Sequence, residues 1–507
     1  MNNNIVIGKH TLESLTSGMY SDPYVVFREY IQNAADSIDD AYKANVLANG
    51  NDRINISVSP LERLIVIEDN GLGIPADKAE KTLVSIGNSQ KTSDNSRGFR
   101  GIGRLSALSY CSKLTFETSF AGENTVSKVV IDATKLAELL AFNTDVDISV
   151  IEVLDKVYTT EFAPAPIEAH YFKVIMEGVD DSSKLTDYEE VLSYLSQNVP
   201  VPYDPKFTWG KEIVKRLKAE GYYEPKYNVF LTYGDKTISV YKPYQDEFLV
   251  DKTKNIVDKI LDINIVKLAD SSDNLIAIGW LAKTSYLGSI YDRSVKGIRL
   301  RKGNILIGDH QTLNVVFKDA RFNGWSIGEI FAVDSKLIPN ARRDNFEKNP
   351  SYFLLVEQLT TIASAITKDI RSASLNRNAD LSNALAQYEK VQRDAASALN
   401  DGVAGTQKNA LKQALSGVQT SITQSRSNGE SDDLCKEIAF EELDMLIGQI
   451  QGATTFKVLN AMKNLSSTEK KTLEKVFNAI IEYNKESSTQ LIDHILSKYQ
   501  QGGEQDE

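Results

Sequence analysis

The sequence predicts an α/β protein in three parts: an N-terminal α/β sandwich, an α/β middle domain and an all-helical C-terminal region. Three observations predict this order. Helical and strand-like patterns alternate over residues 1–185, and a second mixed segment follows over residues 186–350. Residues 351–507 keep the helical spacing of apolar side chains with almost no strand pattern. A chain of 507 residues is long enough for roughly two to four domains, which agrees with this division.

Composition excludes several classes of protein. A hydrophobic content of 42% and a charged content of 25% are typical of globular proteins in water. No apolar run is long enough to span a bilayer, and the first residues lack the pattern of a secretory signal. Cys111 and Cys435 are too few for a disulfide framework or a zinc cluster. We therefore expect a cytoplasmic protein that does not bind membranes.

The net charge of −12 argues against a nucleic-acid partner held by bulk charge. Residues 296–302 (KGIRLRK) are the strongest local basic run. Such runs are more often ordinary strands with one solvent-exposed face, and this interpretation is favoured over a basic patch. The charge pattern therefore does not indicate nucleic acid as a partner.

Residues 28–41 (REYIQNAADSIDDA) predict an amphipathic helix, because positions about 100° apart around the axis sort into two faces. The apolar face comprises Phe27, Ile31, Ala34 and Ile38, and the opposite face comprises Glu29, Asn33, Asp36 and Asp40. One interpretation is a half-buried helix whose polar stripe faces solvent. The other gives the stripe a chemical role, in which Asn33 supplies a neutral oxygen to Mg²⁺ and Glu29 orients or deprotonates an attacking water.

Two glycine-rich segments follow the predicted helix. Asp69, Gly71 and Gly73 stand directly after a predicted strand, where the carboxylate can accept a hydrogen bond from an adenine amino group and the glycines permit close backbone approach. An ordinary Asp-Asn-Gly turn explains the same residues. Residues 97–105 (RGFRGIGRL) place three glycines before a predicted helix, an arrangement whose backbone N–H groups bind phosphate.

The second glycine segment matches neither the dinucleotide fingerprint nor the P-loop. Before it, Ser89 and Lys91 lie on a polar stretch that we expect to act as a lid over a nucleotide. Taken alone, Lys91 would be an ordinary surface lysine.

In this order the motifs resemble those of the Bergerat-fold ATPases, which include gyrase B, HtpG-type heat-shock chaperones, histidine kinases, MutL and the MORC proteins. The resemblance covers residues 1 to about 180 and is closest to the HtpG-type chaperones. It implies that ATP and Mg²⁺ are bound, with Glu29 as the water-activating base, Asn33 as the metal ligand and Asp69 as the adenine-binding carboxylate. The other nucleotide-binding residues that it implies are Asp36, Gly71, Gly73, Ile74, Ser89, Lys91, Gly98, Phe99, Gly101, Ile102 and Gly103.

The resemblance extends to residues 337–346 (LIPNARRDNF), which are similar to the catalytic loop of the chaperone middle domain. That likeness assigns Asn340, Arg343 and Asp344 to the loop, with Arg343 delivered to the γ-phosphate. An exposed Arg-Arg pair after a proline turn is the alternative.

Among the departures of the chain from the family, one concerns a strand of the ATPase domain, and another is that the C-terminal helices do not resemble the chaperone dimerisation domain. A strand that begins with Gly-Thr in the family has Tyr171 and Phe172 at the corresponding positions here, and Thr115 or Thr118 are the candidate substitutes for the threonine.

The function expected from these features is that of an ATP-dependent conformational machine, which slowly hydrolyses Mg-ATP and opens and closes on a protein client or effector, with a homodimer as the expected assembly. The alternative is a nucleotide-gated binding or signalling component of a bacterial defence or DNA-associated complex, because the fold is shared with DNA-acting proteins. Apolar stripes in the C-terminal helices, such as Leu381, Leu385 and Tyr388, either form dimer or partner contacts or pack inside one chain.

Overall fold

A computed structural model describes residues 22–85, 103–141, 149–377, 379–401, 405–425, 430–452, 466–483, 491–492 and 495. These residues form two compact units, one covering the described residues up to 285 together with 290–366, and the other covering 286–289 and those from 367 onward. Within the described residues, no helix is both long and apolar enough to cross a membrane. The predicted fold class is confirmed, since mixed α/β segments precede a helical C-terminal region.

The N-terminal segment alternates helices and strands as the sequence predicts. Its elements are α1 (Val25–Lys43), β1 (Ile54–Ser59), β2 (Leu64–Asp69), α2 (Ala76–Val84), a 3-10 helix (Gly103–Ser109), β3 (Lys113–Ser119), β4 (Thr125–Asp132), α3 (Ala133–Leu140), α4 (Val150–Val157), β5 (Tyr158–Pro164) and β6 (Tyr171–Glu177). The helix predicted after the second glycine segment is, in the described residues, a 3-10 helix from Gly103 to Ser109.

The following segment contains α5 (Tyr188–Asn198), α6 (Trp209–Ala219), β7 (Val229–Tyr233), β8 (Lys236–Ser239), β9 (Glu247–Asp251), β10 (Ile256–Lys259), β11 (Asp262–Ala269), β12 (Leu275–Lys283), β13 (Gly297–Lys302), β14 (Ile305–Ile307) and β15 (Ile327–Ala332). Strands β7 and β8 extend the N-terminal sheet, because β7 pairs in parallel with β1. Among the described residues this sheet has eight strands in the order β5-β4-β3-β6-β2-β1-β7-β8. The predicted boundary at residue 185 therefore lies ahead of two strands that belong to the N-terminal sheet.

The two faces of this sheet differ in burial because side chains alternate along each strand. One face carries Ile65, Ile67, Phe116 and Val174, which are buried in one core with the apolar side of α1. The ring of Tyr30 from α1 meets Phe116 edge-on at 6.4 Å. The other face is partly exposed and holds ion pairs such as that of Lys173 with Glu68, at 2.9 Å. The N-terminal domain is therefore a two-layer sandwich.

The second sheet has the order β11-β12-β15-β13-β14. A buried charged cluster lies at its strands β13 and β15. Arg301 and Lys242 both pair with Glu329, and all three side chains are at most 1% exposed. Burial alone would raise the pKa of the Glu329 carboxyl, but the neighbouring Arg301 and Lys242 lower it to about 2. Arg301 also donates to the carbonyl of Gln197 at the end of α5, at 2.9 Å.

This burial corrects both interpretations of residues 296–302. Arg299 and Arg301 are 2% and 1% exposed, so the run forms neither a basic patch nor a strand with a solvent-exposed cationic face. The cause is the buried Glu329 beside the strand, which compensates the charge of Arg301 inside the protein.

The remaining helices are α7 (Pro350–Arg377), α8 (Ala379–Asp401), α9 (Gly405–Gln424), α10 (Glu430–Gly452) and α11 (Ser467–Tyr483). The apolar stripes of α8, α9 and α10 pack against one another, and Leu381 and Tyr388 are buried there. These stripes thus form an internal core of the chain. Helix α11 begins with a capping box, since Ser466 and Glu469 exchange hydrogen bonds.

Candidate functional site

The polar stripe of α1 is not a solvent-exposed face. Glu29 and Asp36 are 8% and 5% exposed, and Asn33 is half-buried, whereas Asp40 lies in solvent. Carboxylates are rarely buried to this degree unless other groups compensate their charge. The burial of the stripe therefore favours a chemical role for it over the solvent-facing alternative.

One end of the candidate site is formed where β2 ends at Asp69. Strand alternation places Asp69 on the same face as Ile65 and Ile67, beneath α1, and the residue is 3% exposed. Its Oδ1 atom accepts a hydrogen bond from the backbone N–H of Gly71 at 2.9 Å. A Cβ at residue 71 would lie 2.7 Å from that oxygen and would overlap Ser37 of α1. Glycine is therefore needed where the loop passes between Asp69 and α1.

The loop after Gly71 is fastened to the end of β3. Gly73 has a φ of +78°, and a Cβ there would overlap the carbonyl oxygen of Ser119. The backbone N–H of Ile74 donates to Thr118 Oγ1 at 3.0 Å, and this hydroxyl donates to the carbonyl of Tyr171 at 2.9 Å. The Thr118 hydroxyl therefore links the loop to β6 by accepting one hydrogen bond and donating another.

Strand register also shows what occupies the family's threonine position. Asp69, Phe172 and Thr118 are directly opposed on β2, β6 and β3, so all three lie on the face beneath α1. Thr115 is three residues before Thr118 and lies on the other face of the sheet. Of the two candidate substitutes, Thr115 therefore points away from the site, and Phe172 is the side chain next to Asp69.

At the other end of the site, the start of the 3-10 helix lies against Glu29. A Cβ at Gly103 would overlap Glu29 Oε2, so only a residue without a side chain allows the backbone to come this close to the carboxylate. Tyr30 fixes this approach by donating its hydroxyl hydrogen to the carbonyl of Arg104 at 2.7 Å. The glycine segment and the carboxylate are therefore held together.

Two guanidinium groups meet the same carboxylate. Arg343 Nε lies 3.4 Å from Glu29 Oε1, and a terminal nitrogen of Arg28 lies 3.3 Å from that oxygen. The side chains of Glu29, Arg343 and Arg28 are only 10%, 11% and 7% exposed. The alternative of an exposed Arg-Arg pair is thus wrong for Arg343, while the neighbouring Arg342 is exposed.

The loop that carries Arg343 is closed on itself. Pro339 and Phe346 form an antiparallel bridge, and the N–H of Asn340 donates to the carbonyl of Asn345 at 2.9 Å. The Asn340 amide group donates to the Asp344 carboxylate at 2.6 Å. Asn340 and Asp344 therefore shape the loop, and Arg343 is the member that reaches Glu29. We call residues 337–346 the arginine loop.

Several predicted site residues lie outside the described residues, namely Ser89, Lys91, Gly98, Phe99, Gly101 and Ile102. Their roles stay predictions. The described members of the predicted site lie on helix α1 or next to it. One end of the site contains Asp36, Asp69, Gly71, Gly73 and Ile74, and the other end contains Glu29, Gly103 and Arg343.

The described residues fit ATP and Mg²⁺. Within this part of the chain, the half-buried Asn33 amide group has no protein partner, which leaves its oxygen available as a metal ligand. Asn33 stands on α1 between Glu29 and Asp36, and so between the two ends of the site. Mg²⁺ is ordinarily held by one or two protein oxygens together with phosphates and waters, so a larger acidic cluster is not required.

Comparison with known proteins agrees with this geometry. Residues 21–158 match the model of a family described as histidine kinase-, DNA gyrase B-, and HSP90-like ATPase. Over these residues the chain resembles a Bergerat-fold ATPase domain. The resemblance inferred from the motifs is therefore confirmed for this part of the chain.

Individual relatives of the ATPase domain are bacterial chaperones. The chaperone protein HtpG of Halalkalibacterium halodurans is 29% identical over 131 residues, which cover 23% of this chain and 21% of that protein. The chaperone protein HtpG of Escherichia coli strain K12 is 28% identical over 134 residues, with the same coverage. The chain thus matches about a fifth of the length of these relatives.

Sequence reasoning missed two residues that shape the site. Arg28 pairs with Glu29, and His170 Nδ1 lies 2.8 Å from the carbonyl oxygen of Gly71. Neither residue carries a sequence signal that could have identified it.

We predict that Asp69→Asn weakens ATP binding by about 100-fold, the cost of losing a hydrogen bond to a buried charged group. Isothermal titration calorimetry with a non-hydrolysable ATP analogue measures this. Glu68→Gln is the matched control, because it removes one carboxylate from the same strand on the partly exposed face. Unchanged ATP affinity in Asp69→Asn would exclude Asp69 from the adenine-binding pocket.

Proposed function

We propose that this protein is a cytoplasmic, ATP-driven conformational machine that slowly hydrolyses Mg-ATP to ADP and phosphate and thereby opens and closes on a protein client or effector. The observation that carries the proposal is the 3.4 Å contact between Glu29 of α1 and Arg343 of the arginine loop. The site then contains a general base and a cation, which are two of the groups that a phosphoryl-transfer site needs. These two groups come from distant parts of one chain.

Glu29 is proposed to act on the attacking water. Its carboxylate accepts the proton of the water as the oxygen attacks the γ-phosphorus, and the bond to the bridging oxygen of ADP breaks. Arg28 and the close backbone at Gly103 hold this carboxylate in one orientation. When bound, Mg²⁺ neutralises charge on the phosphates, and Asn33 would hold it.

Arg343 is proposed to stabilise the negative charge that develops on the transferred phosphoryl group. Its guanidinium already lies at the water-activating carboxylate, where the γ-phosphate of the substrate has to arrive. Because Arg343 belongs to a loop more than 300 residues from Glu29 in sequence, turnover depends on that loop lying against α1. This dependence is what would couple hydrolysis to a change of conformation.

The client-binding part of the proposal rests on similarity. The relatives of the ATPase domain are named chaperones, and we extend that role to this chain together with an expected homodimer. The helices of the C-terminal region would contact the partner through surfaces other than the apolar stripes of α8–α10, which are internal. The basic run at residues 296–302 gives no support to a nucleic-acid role, because Arg299 and Arg301 are buried.

We predict that Glu29→Ala lowers kcat for ATP hydrolysis by about 100- to 10,000-fold, as expected for removal of a general base, with nearly unchanged ATP affinity. A coupled phosphate-release assay and a binding titration measure the two quantities. Asp40→Asn is the control on the same helix, since Asp40 is exposed and pairs only weakly with Lys43 at the surface. Equal turnover in Glu29→Ala and wild type would remove Glu29 from the base role.

We predict that Arg343→Ala lowers kcat by about 100-fold, the usual cost of losing one electrostatic donor to the transition state, and leaves ATP affinity close to that of wild type. Arg342→Ala is the matched control, because its side chain is exposed and its carbonyl, which accepts a hydrogen bond from Arg28, survives the substitution. A wild-type rate in Arg343→Ala would exclude the arginine loop from the chemistry.

A further inference from the structure

The backbone of Arg343 adopts a conformation that its side chain disfavours. Its φ is +57°, in the left-handed region, where a residue with a Cβ typically loses about 1–2 kcal/mol. Such a conformation persists when neighbouring groups hold it in place. One of these is the carbonyl of Asn340, which accepts the N–H of Arg343 at 3.1 Å.

The second group that holds Arg343 is Gly308, directly after β14. The backbone N–H of Gly308 donates to the carbonyl of Arg343 at 2.8 Å. The φ of Gly308 is +68°, and a Cβ there would lie 2.6 Å from the carbonyl oxygen of Asp344 and would overlap Thr312 Oγ1. Only glycine therefore lets the end of β14 approach the arginine loop this closely.

Gly308 is itself attached to a rigid part of the protein. It follows the β13–β14 hairpin, whose Arg301 is buried with Glu329 and bonded to the carbonyl of Gln197. Breaking a buried ion pair of this kind is strongly unfavourable. The hairpin is therefore a fixed reference against which the arginine loop is placed.

We infer that Gly308 is a positioning residue for Arg343: its N–H and its missing side chain set the backbone from which the guanidinium reaches Glu29. Arg343 is then held at both ends, by Gly308 at its carbonyl and by Glu29 at its Nε. The inference rests on the proposed catalytic role of Arg343.

The test is Gly308→Ala compared with Gly234→Ala in steady-state ATP hydrolysis. Both positions have positive φ, but a Cβ at Gly234, with φ +58°, would meet nothing within 4 Å. The two substitutions thus share the backbone penalty, and only that at Gly308 pushes on the arginine loop. We expect kcat to fall about 10- to 100-fold in Gly308→Ala with little change in KM, because small misplacements of a catalytic group are this costly. Gly234→Ala should keep the wild-type kcat.

The same substitution in an Arg343→Ala background separates positioning from general damage. If Gly308 acts through Arg343, Gly308→Ala lowers kcat in the wild-type background and has little further effect once Arg343 is absent. An equal loss in both backgrounds, or a wild-type kcat in Gly308→Ala, overturns the inference. A wild-type kcat in Arg343→Ala alone instead overturns the proposed function, so the two failures are distinguishable.

Two further measurements apply if Gly308→Ala does not fold. The double variant Gly308→Ala/Thr312→Ala, compared with Thr312→Ala, removes the overlap with the hydroxyl and keeps the close approach to Asp344. It is expected to show the same loss of kcat. In the wild-type protein, the Gly308 amide should exchange slowly with deuterium, and exchange at the rate of an exposed amide would contradict the bond to Arg343.

Discussion

A buried ion pair between Glu29 and Arg343 is the interaction on which the candidate site depends. A charge without a partner in the interior is costly, and the Glu29 carboxylate has two cations beside it, Arg343 and Arg28. The contact with Arg343 places the arginine loop against α1. Gly103 belongs to the same constraint, because any side chain there would overlap Glu29.

The opposite end of the site depends on the sheet. Side chains alternate along β2, so the strand that buries Ile65 and Ile67 beneath α1 also brings Asp69 there. The loop that contains Gly71 and Gly73 then passes between this carboxylate and α1, and a hydrogen bond to Thr118 holds it there. Helix α1 spans both ends, with Asp36 and Ser37 near the loop and Glu29 at the arginine. The distance between the two ends is therefore set by one rigid element.

Much of this could be predicted from the sequence, because the information is local. The 3.6-residue period of α1 identified its two faces, and the ordered glycine motifs identified an ATPase domain. The motifs left both Thr115 and Thr118 open, and the register of β3 against β6 separates them. The burial of Arg299 and Arg301 could not be predicted, because it depends on Glu329 from a strand paired only in the folded sheet. The likeness to the chaperone catalytic loop pointed to Arg343 rather than Arg342, but the contact of Arg343 with Glu29 follows from no local pattern and required the folded chain.

We propose that Glu29 and Arg343 of the same chain serve one ATP. The most direct measurement mixes Glu29→Ala with Arg343→Ala protein, allows the chains to exchange, and follows ATP hydrolysis over a range of concentrations. If the two residues act within one chain, the mixture hydrolyses ATP at the average of the two separate rates at every concentration. A rate well above that average would mean that a partner chain supplies the missing residue, and it would contradict the claim.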